Sequence, residues 1–203
     1  MNTLPKTKQI FGISGLPRSG KDTVADALIE HGYFGVSLGD IVRDAARVRH
    51  AEKSDPISVK NMTETSNWLR KSKGPDFALK EALRLYEAAS KQQDYLGLVV
   101  YSVRAPIEVD FILGKGGEMV WIETSDEIRY ERNKRAQREG EADISQEEFL
   151  AQESLQWTPQ PGLPEAIQMN INYVKSHATI TIMNEGDNVT QFLEHALKQL
   201  NVT

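Results

Sequence analysis

The sequence predicts an α/β fold, a five-stranded parallel sheet with helices on both faces. Three observations lead there. Short β-branched or aromatic runs alternate with longer segments of helical periodicity, each run is bounded by Gly, Asp, Asn or Ser, and a glycine-rich turn joins the first run directly to a helix. A chain of 203 residues, 39% hydrophobic and 26% charged, is long enough for one such domain carrying inserts.

The strands read as residues 9–14 (QIFGIS), 33–37 (YFGVS), 96–101 (LGLVVY), 118–123 (EMVWIE) and 179–183 (TITIM). A helix over 21–31 places Val24, Ala27 and Leu28 on one face, and a helix over 188–200 does the same with Val189, Phe192, Leu193, Ala196, Leu197 and Leu200. Two stretches offer no strand pattern. They divide the chain into a core of residues 1–40, 94–124 and 179–203 and two helical excursions, 41–93 and 125–178, the second broken at Pro161-Gly162-Leu163-Pro164. No internal repeat is present.

Composition removes several classes of function. With no cysteine there is no disulfide framework, thiolate zinc site or thiol nucleophile. His31, His50, His177 and His195 are too widely spaced for a histidine-built metal site. A net charge of -5 argues against a nucleic-acid partner. No apolar run reaches the ~18 residues of a membrane helix, and the opening MNTLPKTKQI lacks a signal-like apolar stretch, so the expectation is a cytoplasmic protein without membrane partners.

The sharpest motif is Gly15-Leu16-Pro17-Arg18-Ser19-Gly20-Lys21-Asp22-Thr23, between the first strand and the first helix. Glycines let backbone N–H groups turn around phosphate oxygens, the helix adds its positive end, and Lys21 reaches the outer phosphates: a P-loop for ATP. Gly15, Arg18, Ser19, Gly20, Lys21, Asp22 and Thr23 are the expected nucleotide ligands. Asp22 stands where the usual loop has a Ser or Thr on Mg²⁺. Two readings stay open: Thr23 meets the phosphates while Mg²⁺ is held through water, or Asp22 joins the metal shell. The segment resembles the phosphate loop of the adenylate kinase and dephospho-CoA kinase group, and SGKDT is similar to phage-type deoxynucleoside monophosphate kinases.

That resemblance extends to the acceptor side. Ser37-Leu38-Gly39-Asp40-Ile41-Val42-Arg43 is similar to the Gly-Asp-x-hydrophobic-Arg segment of adenylate kinases, which implies Asp40 near hydrated Mg²⁺ and Arg43 on the acceptor phosphate. From the residues alone, Asp40 would cap the next helix and Arg43 would leave its first turn. Arg104, after the third strand, fits the acceptor-phosphate arginine of related kinases, with Tyr101-Ser102 in place of their aspartate and glycine. Arg70, before Lys73-Gly74, reads either as a surface residue or as a ligand in an acceptor-binding insert over 41–93.

After the fourth strand, a serine cap at Ser125 opens a basic helix. Arg129, Arg132 and Arg135, at i, i+3 and i+6, place three guanidinium groups along one side, where an anion would relieve their repulsion. The segment resembles the start of an adenylate kinase lid. Arg132 matches its first arginine, Arg135 substitutes for the second, and the lid occupies 125–178. A solvated helix pairing with Glu139, Glu141, Asp143, Glu147 and Glu148 is the competing reading. Asn184 and Gly186 follow the last strand, where such folds touch the donor base.

The expectation is therefore a Mg²⁺-assisted ATP phosphotransferase, monomer or homodimer. Its catalytic residues are Lys21, Arg132, Arg135 and Asp40; Asp22, Thr23 and Asp40 are near the metal; Arg43, Arg70 and Arg104 hold a small nucleotide-like acceptor, foremost a nucleoside monophosphate. Dephospho-CoA-like transfer to a hydroxyl, and a nucleotide-binding regulatory module without turnover, are the alternatives.

Overall fold

The computed structural model describes residues 8–136, 144–154, 157–159, 164 and 168–202. Residues 161–163 of the proline-rich break and Glu139, Glu141 and Asp143 of the acidic run lie outside the described residues. Strands β1 (Gln9–Gly15), β2 (Phe34–Ser37), β3 (Gly97–Tyr101), β4 (Glu118–Glu123) and β5 (Ile180–Met183) form one sheet in the order β2-β3-β1-β4-β5. Every pairing is parallel. The expected strands are all present, with ends moved by no more than one residue.

Nine helices are described: α1 (Lys21–Glu30), α2 (Leu38–Arg49), α3 (Val59–Lys73), α4 (Phe77–Ala89), α5 (Pro106–Gly114), α6 (Asp126–Arg135), α7 (Gln146–Ser154), α8 (Ile171–Ser176) and α9 (Val189–Gln199). Strand alternation divides the core in two. Phe11, Ile13, Val99, Val120 and Ile122 face α1 and α9, packing on Val24, Leu28, Phe192 and Ala196, whereas Val189, expected on the same face, is exposed in the first turn of α9. Leu98, Val100, Met119 and Trp121 face the other way, onto Val42, Ala82, Val109, Ile112 and Val174 of α2, α4, α5 and α8. Each fully buried Val, Leu, Ile or Phe contributes about 1.5–3 kcal/mol. Both sheet faces are thus covered, as a parallel sheet requires.

One local expectation is corrected, and two features go beyond the sequence reading. The α2 cap is Ser37, whose hydroxyl accepts the Asp40 N–H at 3.1 Å, so Asp40 lies in the first turn instead of capping it. The 59–89 stretch is two helices because Gly74, at φ 100°, ends α3 in a conformation that glycine favours. Apolar residues lie all round α5, which has no single stripe to predict it: Val109 and Ile112 are buried and Phe111 and Leu113 half-buried. No helix among the described residues is long and apolar enough to cross a membrane.

Leu28, completely buried on α1, tests the core. Leu28→Ala is expected to lower unfolding free energy by about 3 kcal/mol in urea titrations, while Val48→Ala on the exposed end of α2 stays within about 0.5 kcal/mol.

Candidate active site

In parallel sheets of this kind ligands gather beyond the carboxyl ends of the strands, where the strand order reverses. The phosphate loop leaves β1 at that edge. The Leu16 carbonyl accepts the Ser19 N–H at 3.1 Å, and Gly20 at φ 95° turns the chain into α1. A Cβ on residue 20 would lie 2.4 Å from Asn184 Nδ2, so glycine is needed there twice over. The Ser19 hydroxyl is buried and has no hydrogen-bond partner among the described residues.

Two cavities open around this loop. The first, about 780 Å³, is lined by Arg18, Gly20, Lys21, Asp22, Thr23, Arg132, Arg135, Asn184 and Gly186 among others. The second, about 500 Å³, is lined by Asp26, Ser66, Asp40, Arg70, Phe77 and Glu108 among others. Pro17, Lys21, Asp22, Arg43 and Arg104 line both. Of the fifteen expected site residues, thirteen line one or both cavities, and Gly15 and Ser19 belong to the loop between them.

The cavities differ in charge. Arg18, Lys21, Arg43, Arg104, Arg132 and Arg135 face Asp22, Glu153 and Asp187 in the first, whereas Lys21, Arg43, Arg70 and Arg104 are matched by Asp22, Asp26, Asp40 and Glu108 in the second. A polyanion therefore suits the first space better.

Lys21 Nζ is buried, 3.0 Å from Asp22 Oδ2. Burial holds its ammonium below the ordinary lysine value, Asp22 opposing and Arg104 and Arg43 reinforcing the shift. Arg43 pairs with Asp40 at the mouth of the second cavity. Arg70 is buried instead of lying on the surface. It bonds Ser66 and stands 3.6 Å from Glu108, and its Nε has no hydrogen-bond partner among the described residues. Glu108 also accepts the N–H groups of Arg104 and Ala105 at 2.7 and 3.0 Å. Burial lowers the Arg104 pKa, with Glu108 opposing.

The arginine row of α6 turns toward the loop. Arg129 is fully buried, donating to Glu153 at 2.5 Å, Asp126 at 2.6 Å and the Pro17 carbonyl at 3.2 Å. Among the described residues Arg132 donates to neutral acceptors alone, the carbonyls of Arg18, Asn184 and Gly186 and the Asn184 side chain, at 2.7–3.3 Å. Arg135 pairs with Asp187 at 3.3 Å on the rim. Ser125 makes no side-chain cap; its N–H donates to Glu185. Asn184 Nδ2 donates to the Ser19 carbonyl at 2.7 Å. Ser102, in the place expected for glycine, adopts φ 62°. Few residues other than glycine take up such a left-handed turn.

Sequence reasoning passed over Glu108, Glu153, Asp26 and Thr124. Only Glu108 had a local signal, lying three residues after Ala105 with proline at the first helical position, as a first-turn carboxylate does. The others are defined by contacts distant in sequence.

A family model described as an AAA domain matches residues 12–153, most of this framework. The chain belongs to that AAA domain family. Among curated relatives, this AAA domain chain is 29% identical over 184 residues to a UPF0200/UPF0201 protein of Archaeoglobus fulgidus, covering 88% of this chain and 51% of that one. It is 34% identical over 103 residues to a UPF0200 protein of Methanothrix thermoacetophila, 51% of each chain, and 24% identical over 188 residues to one of Methanococcus vannielii, 92% of each. The matches span about half the length of the first two relatives. Among solved structures, a Thermus thermophilus protein is 25% identical with a TM-score of 0.53, covering 95% of this chain and 96% of that one. A shikimate kinase of Bacteroides thetaiotaomicron (11%, TM-score 0.53, 96% and 99%) and a dephospho-CoA kinase of Campylobacter jejuni (12%, TM-score 0.50, 95% of each) share the fold. The fold is P-loop NTPase-like.

A phosphate beside Lys21 would raise its depressed pKa. In alkaline solution below the ordinary lysine value, tripolyphosphate binding is therefore expected to take up protons at this residue. Calorimetry in buffers of different ionisation enthalpy measures the uptake, and Lys21→Met should abolish it.

Proposed function

We propose that the chain is an ATP-dependent phosphotransferase acting on a small phosphate-bearing acceptor, foremost a nucleoside monophosphate. The observation that carries this reading is the shared wall: Lys21, Arg43 and Arg104 line both a cation-rich cavity beside the phosphate loop and a second cavity behind it. A phosphoryl group passing between two bound molecules would cross that wall, where three cations outnumber the carboxylate of Asp22.

In this reading ATP occupies the first cavity, with its phosphates against Gly15–Thr23 and its base toward Asn184 and Gly186. Arg132 and Arg135 neutralise charge from the α6 side. The acceptor occupies the second cavity, its phosphate drawn to Arg43, Arg70 and Arg104. The unpartnered, buried Nε of Arg70 favours an anionic acceptor group, since an added oxygen would satisfy it. Residues 41–93 serve as acceptor insert and 125–178 as lid.

Mg²⁺ fits the oxygen donors available. Asp22 reaches both cavities, Thr23 the first and Asp40 the second. No cluster of three metal-binding side chains is present among the described residues, which suits an ion sharing its shell with phosphates and water. When bound, Mg²⁺ supplies charge neutralisation to the phosphate oxygens. Asp40 also supports a second reading, transfer to a hydroxyl acceptor with this carboxylate as base.

An ADP-release screen over ribo- and deoxynucleoside monophosphates and dephospho-CoA is the test. Turnover is expected with a monophosphate, and Arg70→Met should raise the acceptor KM about tenfold or more with the ATP KM nearly unchanged. Turnover with dephospho-CoA alone would favour the hydroxyl reading, and tight ATP binding without product from any acceptor would replace catalysis by a regulatory nucleotide-binding role.

A further inference from the structure

Three successive carbonyls of the phosphate loop are held by side chains from outside it. The Pro17 oxygen accepts from Arg129 and the Arg18 oxygen from Arg132, each at 3.2 Å. The Ser19 oxygen accepts twice, from Thr124 Oγ1 at 3.1 Å and Asn184 Nδ2 at 2.7 Å. These last donors sit just beyond β4 and β5, and both are buried.

In a trans peptide the C=O and the following N–H point in opposite directions. Fixing the Ser19 oxygen toward the strand ends therefore fixes the Gly20 N–H away from them. Gly20 lines the first cavity, and its N–H has no acceptor among the described residues. The Pro17 oxygen does the same for the Arg18 N–H, while the Ser19 N–H between them closes the turn onto Leu16.

We infer that Thr124 and Asn184 are positioning residues that hold the Ser19–Gly20 peptide so that its N–H is presented to an anionic phosphate oxygen. This rests on the phosphate-binding reading of the loop, and it assigns the work of preparing that loop to residues outside it. Of the two, Thr124 is the cleaner probe because it lines neither cavity. A hydroxyl that fixes the peptide beforehand removes orientational freedom that the anion would otherwise have to restrict.

The test uses inorganic tripolyphosphate, which has no base or sugar to bind elsewhere. Titrations are run by calorimetry on wild type, Thr124→Val and Thr124→Ser, with the Gly20 amide proton followed by NMR. Thr124→Val is expected to weaken binding about three- to tenfold and to reduce the downfield movement of the Gly20 resonance; Thr124→Ser, which restores the donor, should lie within about twofold of wild type. If Thr124→Val does not fold, Asn184→Ala is measured in the same way, with the Gly20 resonance as its readout. Equal affinity and an equal Gly20 shift in a folded donor-deleted variant would overturn the inference while leaving the phosphate site intact. A wild-type chain that binds neither tripolyphosphate nor ATP would overturn the phosphate reading and this inference with it.

Discussion

The ladder that holds β1 between β3 and β4 is the constraint on which the rest depends. Ile13 is opposite both Tyr101 and Val120, and Gly15 is opposite Ile122. Because all five strands run the same way, the chain leaves each of them at one edge. Loop residues 15–21, Asp40 and Arg43, Arg104, Thr124 and Asn184 all follow a strand by a few residues. That is how Asn184 comes to bond Ser19 across 165 positions of sequence. A shift of register would turn Phe11 and Ile13 out of their core face and also separate these groups.

Charge is handled differently in the interior and at the cavities. Where a charged group is fully enclosed, it has an opposite partner: Arg129 has Glu153 and Asp126, and Arg70 has Glu108. Taking one member away would leave an uncompensated buried charge. At the first cavity the cations outnumber the carboxylates, and among the described residues Arg132 has only neutral acceptors. A chain with an overall charge of -5 thus concentrates positive charge beside one turn of backbone.

The sheet was legible in the sequence because each strand is a short apolar run ended by turn residues, and the phosphate loop because its composition has few other uses. What local pattern could not reveal was direction and depth. Arg129, Arg132 and Arg135 are evenly spaced, yet one is buried in an ion pair, one braces three carbonyls and one stays on the rim. Arg70 beside exposed Trp68 and Lys71 has the sequence context of a surface residue, and only the packing of α3 against α2 and α4 encloses it. Ser37 and Asp40 are both good caps, and the backbone chose the earlier one. Thr124 and Glu153 depend on partners that sequence spacing cannot identify.

The fit between Gly20 and Asn184 has an evolutionary consequence. With only 2.4 Å between Asn184 Nδ2 and the place a Cβ would take, position 20 is not free to vary while Asn184 is in place. A side chain at 20 would require a smaller residue or a displaced loop at 184, and the bond to Ser19 would go with it. A descendant of this chain could gain a side chain at 20 only after a change at 184, so the turn that follows the last strand helps to keep the turn after the first one bare.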